Sequence, residues 1–120
     1  MYKYKAIVSA TGVNGTFKEK TFTTLSEIEY EIKQLKDGKG YDLEISSTPR
    51  IQNIETFSVM NSSYHKGIFK KRYISSYLLE IALEEESYGR FTDNFEEVKE
   101  LIQDFVNLQR IPDYSDWNNH

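Results

Sequence analysis

Apolar residues along this chain recur with two periods, and each change of period marks a new element. The clearest helical pattern lies near the end, where Phe95, Val98, Ile102, Phe105 and Val106 follow one another at spacings of three and four and Leu101 and Leu108 widen the stripe. Asp93 precedes it as an N-cap, with Glu96 placed to complete a capping box, so the spacing predicts a helix from about Asn94. Pro112 lacks an N–H and disfavours helical geometry at Ile111, which ends the helix and turns the chain into Asp113 to Trp117, a tail pinned by Tyr114 and Trp117. Thr24 and Glu27 form a second box, opening a helix with Leu25, Ile28, Ile32 and Leu35 on its apolar face. It stops before Asp37-Gly38-Lys39-Gly40, where glycine supplies the left-handed cap.

The remaining runs alternate with period two. Tyr2 to Ser9 and Thr16 to Thr23 flank Thr11-Gly12-Val13-Asn14-Gly15, a hairpin loop signature, and the lysines around Thr16 to Lys20 suit an edge strand. Tyr41 to Ser46 alternates apolar Tyr41, Leu43 and Ile45 with polar neighbours and is broken at Ser47-Thr48-Pro49. Ile54 to Met60 follows, closed by a turn at Asn61-Ser62-Ser63. Gly67 to Ile74 and Tyr77 to Leu83 are the next strands, with Ser75-Ser76 as the reversal between them; the run LLEIALEEE over residues 78–86 has helix propensity as well, so this segment reads as strand or helix. Short turns and no crossover helices make the sheet largely antiparallel. The order β-β-α-β-β-β-β-α predicts a single α+β domain over residues 1–120, a twisted antiparallel sheet with two amphipathic helices on one face.

A chain of 120 residues suffices for one core, and 9 Tyr, 7 Phe and 1 Trp give it large contact area per residue. With no Cys there is no disulfide framework, thiolate nucleophile or Cys zinc site. No run approaches the roughly eighteen apolar positions of a membrane span, and the apolar centre of MYKYKAIVSATG is too short for a secretory signal, which together predict a cytoplasmic protein. Charge is divided unevenly. Residues 1–73 hold 12 Lys/Arg against 8 Asp/Glu, whereas residues 74–120 hold 3 against 11. A focused acidic half speeds encounter with basic proteins and repels nucleic acid, though acidic residues on an exposed helix also serve solubility.

Catalytic and cofactor signatures do not occur: no Gly-rich phosphate loop, no Gly-x-Ser-x-Gly elbow and no His-x-x-x-His or calcium-loop spacing. The sequence therefore predicts a protein that is not an enzyme and needs no cofactor or metal. His65, beside Tyr64 and Lys66 in a turn, has no identifiable second proton carrier and reads as an exposed loop histidine. Lys70-Lys71-Arg72 between Phe69 and Tyr73 is the one stretch suggestive of nucleic acid. Three charges hold a phosphate backbone weakly, so a charged strand edge is the better reading.

The stretch Val98 to Trp117 joins an amphipathic helix containing Phe105 to Gln109-Arg110-Ile111-Pro112 and a Trp five residues after the proline. It resembles the end of immunity proteins from bacterial polymorphic toxin systems, in particular immunity protein family one. That family's last helix typically closes with glycine or a small residue, a proline and a terminal tryptophan; here Gln109 and Arg110 stand near the glycine position. The resemblance implies a small α+β protein that binds and neutralises a cognate toxin domain, often a nuclease. A nuclease carries a basic groove, and an acidic inhibitor face can occupy it as a phosphate mimic. The expected toxin-binding residues are Glu96, Glu97, Glu100 and Asp104 on the last helix, Glu84, Glu85 and Glu86 at the end of the preceding strand, Tyr88 as an anchor, and Asp113, Tyr114 and Asp116 in the tail. A non-catalytic interaction or regulatory domain is the second reading; an RNA-binding protein or nuclease is the third.

Overall fold

In the computed structural model, which describes residues 2–10, 16–37, 41–61, 64–66, 72–74 and 76–119, the alternating runs become strands of one antiparallel sheet. The elements in chain order are β1 (Lys3–Ala10), β2 (Thr16–Phe22), a 3₁₀ turn (Leu25–Ile28), α1 (Glu29–Asp37), β3 (Tyr41–Thr48), β4 (Thr56–Asn61), β5 (Tyr64–Lys66), β6 (Arg72–Ile74), β7 (Tyr77–Ala82), β8 (Ser87–Thr92), α2 (Phe95–Leu108) and β9 (Asn118–Asn119). Strand order in the main sheet is β2-β1-β3-β4-β7-β8-β9, which places lysine-bearing β2 at an edge as its composition predicts.

Strand register explains the core. Ala6 pairs with Ile45, Ile45 with Phe57 and Phe57 with Ile81, and the row Val8, Leu43, Val59, Leu79 runs beside it. Every one of these side chains is buried. Because side chains alternate across a strand, all point to one face, and both helices lie on it. α2 packs Val98, Ile102, Phe105 and Val106 downward, and the Phe105 ring sits 5.4 Å from Phe57 and 6.2 Å from Tyr4. α1 and its 3₁₀ lead contribute Ile28, Ile32 and Leu35, and the buried Asn61 of β4 donates its side-chain amide to the Leu35 carbonyl at 2.6 Å. The fold is thus α+β, with the helices on one side of the sheet.

Several boundaries differ from the sequence reading. α2 is capped by Asn94, not Asp93. The Thr92 hydroxyl accepts the Asn94 N–H at 3.2 Å and Asn94 Oδ1 accepts the Glu97 N–H at 3.3 Å, so the chain leaves β8 one residue later than the box pattern suggests. The first turn after Thr24 is 3₁₀, and Glu27 reaches back to the Thr23 N–H at 3.4 Å and to the Thr24 hydroxyl at 3.2 Å. Residues 72–74 do not pair with 77–82. They pair with 64–66 as a separate two-stranded ribbon inserted between β4 and β7, which are themselves neighbours. His65 accordingly belongs to a strand, β5, and not to a turn. Segment 77–82 is strand and not helix, whereas β8 and β9 were not foreseen at all. The hairpin loop at 11–15, the glycines at 38–40, the turn at 62–63, the centre of the basic run at 69–71 and His120 lie outside the described residues.

Candidate functional site

α2 presents its acidic residues on the side opposite the core. Glu96, Glu100 and Asp104 recur every four residues and form one stripe; Glu96 and Glu100 are exposed and Asp104 is half-buried. None of the three forms an ion pair with another described residue. Glu97 departs from the expected set, because its carboxylate is taken by Arg90 of β8, and the same guanidinium lies 5.5 Å from the Trp117 ring centroid. Arg90 thereby ties helix, sheet and tail together. Glu97 thus has a counter-ion within the chain, which Glu96, Glu100 and Asp104 lack among the described residues.

Glu84, Glu85 and Glu86 do not end a strand. β7 stops at Ala82, and the Leu83 N–H donates to the Glu86 carbonyl at 2.7 Å, so the three glutamates occupy the tight β7–β8 turn and all are exposed. Tyr88 follows them on β8 and donates its hydroxyl to Glu86 Oε2 at 2.6 Å; that bond, with burial and the Glu86 charge, pushes the phenol above its ordinary range. Its ring meets Tyr114 at 5.0 Å, which makes Tyr88 an anchor for the chain's own tail. Asp113 accepts the Ser115 N–H at 3.0 Å and hydrogen bonding to Ser115 holds its carboxyl below the usual range, while Asp116 is exposed in the following turn. The structure therefore joins the turn and tail groups through Tyr88 and Tyr114, and connects them to α2 through Arg90. Trp117 is buried, and β9 pairs with Tyr88 and Gly89, so the tail returns to the body as its aromatic content predicts.

The C-terminal end of α2 is fixed over β1, the strand next to the β2 edge. Gln109 adopts a left-handed conformation with φ 51°, the geometry for which glycine is the usual choice. A side chain there costs about 1 kcal/mol. Its own amide offsets this: Gln109 Nε2 donates to the Val106 carbonyl at 2.8 Å and to the Tyr4 hydroxyl at 2.9 Å, and the buried Tyr4 hydroxyl donates to the Val106 carbonyl at 2.8 Å.

Two other surfaces were not singled out by sequence. Between α1 and α2 runs a groove of about 460 Å³ lined in part by Tyr30, Lys33, Lys36, Phe95, Glu96 and Lys99, with the Lys36 ammonium 5.7 Å from the Phe95 ring centroid. On the opposite, uncovered face of the sheet, Asp42, Glu44 and Glu80 border a shallow depression of about 160 Å³ together with Ser58, Met60 and Leu78. Burial, then the charges of Glu44 and Glu80, raise the Asp42 carboxyl above its ordinary value. Among the described residues, no group of three or more His, Cys, Asp or Glu could hold a metal ion, and no helix is long and apolar enough to cross a membrane.

Comparisons of the chain with protein-family models, with curated proteins and with solved structures return no match.

Proposed function

We propose that this domain is a cytosolic immunity protein that binds a cognate toxin domain stoichiometrically, performs no reaction itself, and blocks its partner by occlusion. The observation that carries the reading is the stripe of Glu96, Glu100 and Asp104: carboxylates repeated along one side of a helix, without a counter-ion among the described residues, while the neighbouring Glu97 is held by Arg90. A nuclease domain is the fitting class of partner, because a surface evolved for phosphates is cationic and such a stripe is steered to it. The exposed Glu84, Glu85 and Glu86 and the tail residues Asp113 and Asp116 extend the same sign of charge along the Tyr88–Tyr114 contact.

The test is capture of the product of the adjacent reading frame by the purified full chain, followed by titration of E96K/E100K/D104K. Binding by the wild type and a loss of about a hundredfold or more at low salt in the variant are expected. Absence of binding to any toxin domain encoded beside it removes the proposal; equal binding by the variant moves the contact away from α2. The exposed Met60 and Phe91 on the uncovered sheet face favour a second reading, an interaction domain whose contact surface is partly apolar.

A further inference from the structure

The sheet has two faces, and the described helices cover only one. On the uncovered face, register places Met60 of β4 opposite Leu78 of β7, and Leu78 opposite Phe91 of β8, a continuous apolar strip across three strands. Phe91 is 62% exposed and Met60 41%, although isolated Phe and Met of a sheet this size have a large apolar core available on the other side. Two residues further along β3 from the strip's continuation at Asp42, which pairs with Met60, Glu44 returns to the same face; Glu44 pairs with Ser58 and Ser58 with Glu80. Glu44 and Glu80 are thus separated by one strand, about 10 Å between backbones, with the small Ser58 between them. The result is a shallow basin with carboxylates on its rim and an apolar strip at its side.

No described Lys or Arg pairs with Asp42, Glu44 or Glu80. Among the described residues the cations on this face are Lys3 and Lys5 of β1, and Lys5 is committed to Glu19 at 3.3 Å. We infer that the uncovered sheet face is a docking surface for a cationic protein segment, one that seats a lysine or arginine over Ser58 among the three carboxylates and lays an adjacent aromatic or aliphatic side chain on Met60, Leu78 and Phe91. Charge complementarity selects this occupant. A nucleic acid or anionic lipid surface would meet three like charges, and among the described residues no group of three or more His, Cys, Asp or Glu is arranged to hold a metal ion. The inference stands apart from the α2 stripe, since it concerns the opposite side of the molecule.

The experiment follows the methyl resonances of Met60 and Leu78 in the full chain during titration with the capped peptide Gly-Lys-Phe-Lys-Leu-Lys-Gly, beside two controls in which Glu replaces Lys or Ser replaces Phe and Leu. Saturable shifts at both residues with the first peptide alone are expected, with affinity falling at least tenfold in D42N/E80Q and in M60S/F91S and unchanged in E96K/E100K. D42N/E80Q should also melt about 2 °C higher than wild type, because it removes unpaired repulsion, so that lost binding cannot be ascribed to misfolding. Four results would overturn the inference: no shifts at millimolar peptide, equal binding of the serine control, shifts confined to α2, or concentration-dependent dimerisation through these methyl groups, which would make the occupant a second copy.

Discussion

Carboxylates near the two faces of the sheet are treated oppositely. On the helix side Glu31 is 2% exposed, and the chain supplies it with Lys18, whose ammonium reaches Oε1 at 2.7 Å; the hydrogen bond and charge of Glu31 raise the Lys18 pKa in return. Burial, followed by the Glu31 charge, pushes the phenol of nearby Tyr41 to about 12. On the open side Asp42, Glu44 and Glu80 gather without an ion pair to any described residue, and burial, then the charges of Glu44 and Glu80, raise the cost of ionising Asp42. A charge that the architecture has to bury receives a counter-ion. The open-face charges have no such counter-ion among the described residues, which is the observation the proposed docking surface rests on.

The sharpest way to break this contrast is to remove one aromatic ring from each face. Phe105→Ala opens a cavity between Tyr4 and Phe57 and should cost about 3–5 kcal/mol in urea unfolding. Phe91→Ala should change stability by less than about 0.5 kcal/mol, because a ring already 62% exposed loses little contact. Comparable losses for the two would mean that something covers the outer face in solution. Next comes the paired carboxylate. Lys18→Met strands Glu31, whose Oε2 already lacks a hydrogen-bond partner, and should lower the urea midpoint; adding Glu31→Leu should recover it, since two apolar groups replace a broken pair. No recovery would show that Glu31 has another partner than Lys18.

A smaller effect tests the end of α2. Gln109→Ala keeps the left-handed backbone and loses the amide contacts to Val106 and Tyr4, a cost of about 1 kcal/mol. Gln109→Gly loses the same contacts and relieves the backbone, and should fall close to wild type. Equal losses in both would assign the whole effect to the hydrogen bonds.

How much of this was legible in the sequence depended on whether apolar residues carried the signal. The α2 stripe and the alternations of β1, β3 and β7 are apolar on the inner side, so period alone located them, and the α+β class followed. β8 escaped because its inward residues are Tyr88, Arg90 and Thr92, half-buried side chains with polar ends, two of them held by the tail and α2, which leave no apolar alternation to read. The ribbon of β5 and β6 misled for a different reason: strand-forming residues at 64–74 show that strands exist, not which neighbour they choose. The open-face basin was invisible for the same reason. Asp42 and Glu80 are 38 positions apart and meet only because β4 and β7 are adjacent across the inserted ribbon. Of the residues named from sequence, Glu96, Glu100 and Asp104 share one side of α2, while Glu97 is paired with Arg90 and Tyr88 meets Glu86 and Tyr114, contacts that spacing along the chain does not reveal.

The gentlest probe of the contrast is pH, because the two sides titrate in separate windows. Tyr41 has a folded pKa of about 12 against an ordinary 10.0, so the stability tied to its neutral form is complete below pH 10 and is lost as pH rises through about 12. Tyrosinate absorbance near 295 nm should therefore include a late contribution from Tyr41, and Tyr41→Phe should reduce the late amplitude by about one tyrosine while Tyr88 still titrates above the ordinary range. Asp42 is raised from 3.8, so its favourable contribution is complete below that value and lost as pH climbs through the folded pKa, leaving the penalty in force at neutrality. Asp42→Asn should remove that slope, and its advantage over wild type should grow on moving up from pH 3.8 and then level off. An advantage that instead shrank with rising pH would mean that a cation already sits on the basin, and the two sides of the sheet would then obey one rule.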